Sequence, residues 1–149
     1  MDMRSGRNGS IDSAAIILVR LSLAAVFLSE GLQKFLFPQA LGVGRFTTIG
    51  IPAPRVMAPF VALFEIGCGM LVLVGLLTRL AAIPLIVDMI VAIATTKVPI
   101  LLKSGFWSMA HEARTDWAML LGAVFLLVAG PGRWSVDAWA GREIGGRDA

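Results

Sequence analysis

Four blocks of the chain are apolar over most of a bilayer's thickness, and polar residues gather between them. A spanning helix needs about 20 mostly apolar residues, because hydrocarbon offers no partner to an unpaired backbone group. Ala14 to Phe37, Pro59 to Leu77, Leu80 to about Thr96, and Glu112 to Gly130 fit that requirement. The strictly uncharged part of the last begins at Trp117. Trp117 and Trp134 are 17 residues apart. That is ~25 Å on a helix, so the spacing predicts that they mark the two rims of one span.

The pattern therefore predicts an all-α membrane protein, an antiparallel four-transmembrane-helix bundle over residues 13–140, with polar tails at 1–12 and 141–149. Only Thr78 and Arg79 separate the second and third blocks, so those two must be antiparallel neighbours. The first connection, "PQALGVGRFTTIGIPAPR", is rich in Gly and Pro and reads as irregular surface chain. The third, "KVPILLKSGFWSMAHEARTD", is long for a bundle loop and is expected to lie in the membrane interface. "AGPGRW" should stop the last helix, and the tail beyond it should fray. Arg4 and Arg7 ahead of an apolar block resemble a secretory signal, but Arg20 interrupts that block, and it is kept as a span.

Composition agrees with the pattern. Apolar types make up 57% and charged types 15%, where ordinary globular domains have about 45–50% and 25%. Six Lys/Arg on the terminal side against five on the other is a small excess, which places both termini in the cytoplasm and the chain in the cytoplasmic membrane as a multi-pass protein. The +3 charge forms no basic stripe, so no nucleic-acid partner is expected. One cysteine, Cys68, excludes an internal disulfide or a C-x-x-C redox pair. One histidine, His111, cannot build a zinc or haem site alone, and no metal site is predicted.

Charged residues inside spans are the candidate chemistry, because they normally face the bundle interior and pair. Glu30 and Lys34 are four apart with the acid first, so they share a helix face. Measured from the span centres at ~1.5 Å per residue, Glu30, Lys34, Glu65 and Asp116 all lie on the loop side, within ~3–13 Å of the midplane. That predicts one cluster of Glu30, Lys34, Glu65 and Asp116 with Arg114 at its rim. Arg20 and Asp88 fall on the terminal side and form a second candidate pair. Small residues four apart, Ala25/Ser29, Ala58/Ala62 and Ala118/Gly122, would let the helices approach closely.

Taken in order, "RLSLAAVFLSEGLQKFLFP", "FEIGCGMLVLVGLLTRLAAIPL", "RTDWAMLLGAVFLLVAG" and "GPGRWSVDA" resemble the DoxX family of small four-helix membrane proteins, over roughly Arg20 to Ala138. The resemblance implies a four-helix bundle in the cytoplasmic membrane, some members of which are subunits or partners of quinone-linked oxidoreductases. It matches the family's helix-one arginine to Arg20, its G-x-x-K element to Gly31 and Lys34, its helix-two acid to Glu65, and the acid opening helix four to Asp116. Relatives often carry histidine where this chain has Glu30, which makes the cavity of this member more acidic.

Each candidate also has a plain structural reading. Glu30 with Lys34 can simply fix helix register, Arg20 can neutralise Asp88, and Cys68 can be a small buried hydrophobe. Three functions follow. The first is a membrane subunit of an oxidoreductase with no intrinsic cofactor, binding a quinone or similar lipophilic molecule near Glu30, Lys34 and Glu65. The second is a small proton-coupled transporter or channel, and the third a structural scaffold. The partners expected are lipid and either a redox-enzyme subunit or a second copy in a homo-oligomer. No nucleotide motif or nucleophile with its base is present, so no catalytic residue is assigned.

Overall fold

The computed structural model describes the backbone over residues 3–145 and the side chains over 14–141. Every regular element among the described residues is helical. Helix α1 is Met3–Leu36, α2 Val43–Thr48, α3 Pro54–Val74, α4 Thr78–Ala92, α5 Val98–Ala129 and α6 Val136–Gly145. A single π turn, Ile93–Lys97, joins α4 to α5.

Three stretches are long and apolar enough to cross a membrane: Ala14–Leu36, Pro54–Val74 and Thr78–Ser104. The second begins earlier than Pro59 because Pro54 sits in the first turn, where its missing N–H costs nothing. The third continues past Thr96, to Ser104. The segment 97–116, expected as a loop, is helix broken only at Gly105, whose φ of 81° and ψ of 176° turn the chain. Pro99 does not end the helix, because a π turn precedes it. Rewinding from i+4 to i+5 bonding frees carbonyls, and threonine hydroxyls take them up. Thr95 Oγ1 donates to Val91 O (2.8 Å) and Thr96 Oγ1 to Ala92 O (2.6 Å). After Gly105 the helix carries Glu112, Arg114 and Asp116, and it becomes apolar from Trp117 onward. It ends at Ala129, with Gly130 as its cap, so Trp117 and Trp134 do not lie on one helix.

The first connection is not wholly irregular either. It winds the short helix α2, which buries Phe46. At the other end Ser135 caps α6, its Oγ accepting the Ala138 N–H (3.1 Å) and donating to Gly132 O (2.7 Å). Helix α6 carries the chain to Gly145, through the first part of the tail expected to fray.

Leu23, Phe27, Cys68, Val72, Leu85, Met119 and Leu126 form the core. Outside it Leu18, Leu32, Leu63, Leu80, Leu102, Leu121 and Val128 are each more than half exposed. A water-facing surface with so many large apolar side chains would be anomalous, whereas lipid makes it the natural exterior.

Helices α1 and α3 pack through small residues. A Cβ on Gly31 would stand 2.8 Å from Ala62 O and 2.8 Å from Ile66 Cγ1, so only glycine permits this approach. Ala58 and Ala62 are buried in the same seam, whereas Ala25, Ser29 and Ala118 point outward. Gly122 lies against Leu23. Overpacking typically costs about 1–3 kcal/mol. Gly31→Ala should therefore lower unfolding stability in mixed micelles by about that amount, and an unchanged midpoint would contradict the close seam.

Candidate functional site

The stripes that bury each helix explain how charges come together. On α1 the inward residues are Arg20, Leu23, Phe27, Gly31 and Lys34, spaced three or four apart. On α3 they are Ala58, Ala62, Glu65, Gly69 and Val72, so Glu65 takes a place that periodicity reserves for an apolar side chain. Its carboxylate is 3% exposed. Lys34 Nζ donates to Glu65 Oε1 at 2.8 Å and lies 2.7 Å from Oε2. The second approach is a charge contact only, because Oε2 accepts no hydrogen bond.

Asp88, on α4, is the third member of this centre. Its carboxyl is within hydrogen-bonding reach of Glu65, and its Oδ2 is buried without a partner. The pattern predicts instead that Asp88 pairs with Arg20, but the structure separates these two. Depth along a span does not decide which stripe a side chain joins, and three residues from Leu85 turns Asp88 towards α3.

Around the centre stand looser charges. Glu30, half exposed, reaches Lys34 Nζ only at 3.8 Å, while its carbonyl lies 3.4 Å from the same atom. Asp116 pairs with Lys97, Oδ2 to Nζ at 3.2 Å, not with Lys34. Lys97 gains this role because the π turn and the helix after it replace the expected loop. Arg114 is exposed, donates to His111 O at 2.8 Å, and stands outside the cluster. Of the five residues predicted to meet, Glu30, Lys34 and Glu65 are in contact through Lys34, Asp116 is paired with Lys97 instead, and Arg114 is apart.

Arg20 makes a different site. Its guanidinium donates to Val72 O (2.9 Å), Leu73 O (2.7 Å), Pro131 O (3.1 Å) and Trp134 O (2.7 Å). The first two are carbonyls of the last turn of α3, where Val72 O otherwise receives only the N–H of the capping Gly75 at 3.2 Å. A cation there also suits the negative end of the helix dipole. The nearby acid is Asp137, whose carboxylate accepts the N–H groups of Leu77 (2.9 Å) and Thr78 (3.3 Å) and so caps α4 from a distance of about 60 residues. Neither Asp137 nor Lys97 is singled out by span patterns. For Asp137 the signal was its position in "GPGRWSVDA".

On the loop side, near the π turn, a cavity of about 520 Å³ is lined by Gln39, Arg45, Thr48, Thr95, Thr96 and Pro99, among others. Gln39 and Ala40 of its lining follow the C-terminal end of α1, and none of Glu30, Lys34, Glu65 and Asp88 lines it.

Fold and site together define an all-helical membrane protein whose helices enclose charged side chains. The chain belongs to the DoxX family, which it matches over residues 15–98. That match takes in Arg20, Gly31, Lys34, Glu65, Asp88 and Lys97, while Asp116 and Asp137 lie beyond it. The chain is 55% identical over 129 residues to an uncharacterized membrane protein of Mycobacterium tuberculosis, a likeness that covers 83% of this chain and 79% of the relative. It is 32% identical over 114 residues, 76% of this chain and 78% of the relative, to the Bacillus subtilis protein named "Putative oxidoreductase CatD". No solved structure matches it.

Proposed function

We propose that this chain is a membrane subunit or partner of a quinone-linked oxidoreductase, crossing the cytoplasmic membrane four times as an antiparallel bundle with both termini in the cytoplasm. One observation carries the reading. Lys34, Glu65 and Asp88 meet among apolar helices, where charge is costly and is seldom kept without use. The name of the Bacillus subtilis relative points to the same class of chemistry.

The residues fit a quinone in kind. An ammonium such as Lys34 can donate to a ring carbonyl, while Glu30 or Glu65 can exchange the proton that accompanies reduction. Arg45 and Gln39 offer donors in the cavity beyond the end of α1, whose volume is within the usual range for ligand pockets. Reducing a quinone takes two electrons and two protons. The electrons would come from a partner's redox centre, because Cys68 is a single buried thiol. Arg20 and Asp137, which bond only to backbone groups, favour the scaffold reading for their own end of the molecule.

Native mass spectrometry of protein purified gently from its own membrane tests the proposal. A quinone-sized adduct or a redox subunit should be present, and Glu65→Gln should reduce its occupancy about tenfold, or roughly 1.4 kcal/mol of binding. Bare protein in both forms would remove the reading.

A further inference from the structure

We propose that Glu65 and Asp88 hold one proton between them, a proton-binding site buried between α3 and α4.

The inference starts from two oxygens. Among the described residues, Asp88 Oδ2 is a buried carboxylate atom with no partner, and Glu65 Oε2 has only the Lys34 ammonium, 2.7 Å away. Carboxylates only accept, so two ionised ones cannot bond each other, yet these two carboxyls are within hydrogen-bonding reach. A single proton resolves both facts. It turns one acid into a donor, gives an orphan oxygen its partner, and leaves one negative charge opposite the one ammonium, Lys34.

The neighbouring charges do not supply an alternative. From α1, Glu30 adds a further negative charge and is half exposed, and Lys34 is already committed at 2.7 and 2.8 Å to Glu65. Lys97 of the π turn is paired with Asp116 of α5. Helix α2 contributes only Arg45, which is exposed. Two carboxyls, Glu65 and Asp88, therefore share one cation, Lys34, and an uncompensated buried charge neutralises rather than persists. The use of this proton in quinone chemistry rests on the reading above, but its presence does not.

Infrared spectroscopy of the purified, quinone-free protein in lipid nanodiscs tests it. At neutral pH the protein should show the C=O stretch of a protonated carboxyl, shifted in D2O. Either Glu65→Gln or Asp88→Asn should abolish that band, since the remaining acid then ionises opposite Lys34. Lys34→Met should about double it, because neither acid retains a counter-charge. Circular dichroism and gel filtration establish that each variant is folded. Wild-type protein without the band overturns the inference, as does a band that survives both acid substitutions unchanged. A band in protein that never binds quinone keeps this inference while the ligand reading fails.

Discussion

Replacing Arg20 with methionine is expected to cost about 3–5 kcal/mol of unfolding stability, because four carbonyls lose a charged donor at about 1–3 kcal/mol each and water or nearby N–H groups recover only part of that. The side chain is 4% exposed and donates to four backbone carbonyls at distances between 2.7 and 3.1 Å. Methionine fills the volume and returns none of those bonds, so Leu73 O would lose its side-chain donor and Val72 O would keep only the Gly75 N–H at 3.2 Å. Because Pro131 and Trp134 follow α5, the same change also loosens the turn that carries Asp137 to the start of α4. Arg20→Lys should recover only part of the loss, as an ammonium cannot fork towards two separate chain segments. Unfolding in mixed micelles, followed by circular dichroism, measures both. A methionine variant as stable as the parent would show that the guanidinium ties nothing together.

The second large effect is expected at Lys34 and Glu65. Lys34→Glu would bring a third acid to Glu65 and Asp88, and Glu65→Lys would oppose two ammonium groups in a site 3% exposed. Each single reversal should cost about 3–5 kcal/mol, because it leaves a buried charge facing its like. The double reversal restores an opposite pair and should return about 1–3 kcal/mol as coupling energy. Full recovery is not expected, since Asp88 and Glu30 are placed for a cation on α1. If the double variant is no better than the sum of the singles, Lys34 and Glu65 do not act as a pair. Glu65→Gln is the milder probe, because it keeps the shape of the side chain and removes only its charge.

Much of this arrangement was legible in the sequence, for a physical reason. The bilayer accepts few backbone solutions, so apolar runs reveal the helices, and a charge placed in such a run must turn inward. Glu65, three residues from Ala62 and seven from Val72, announces itself in this way. So do Lys34 and Gly31, which share a face on α1. The third connection reads as a loop in the sequence because Pro99, Gly105 and several polar residues look like loop chemistry. A π turn with threonine back-bonds absorbs the proline, and helix persists on both sides of Gly105.

The sequence by itself determined the apolar segments, the membrane as their solvent, and the family, since each depends on composition and spacing along one chain. Only the tertiary structure decided which charges meet. Arg20 went to carbonyls rather than to Asp88, Asp88 to Glu65, and Asp116 to Lys97. Depth along a span can be counted from residues, but a partner is chosen by how each helix is rotated about its axis. That rotation is set by contacts such as Gly31 against Ala62, which belong to two helices and to neither sequence segment alone.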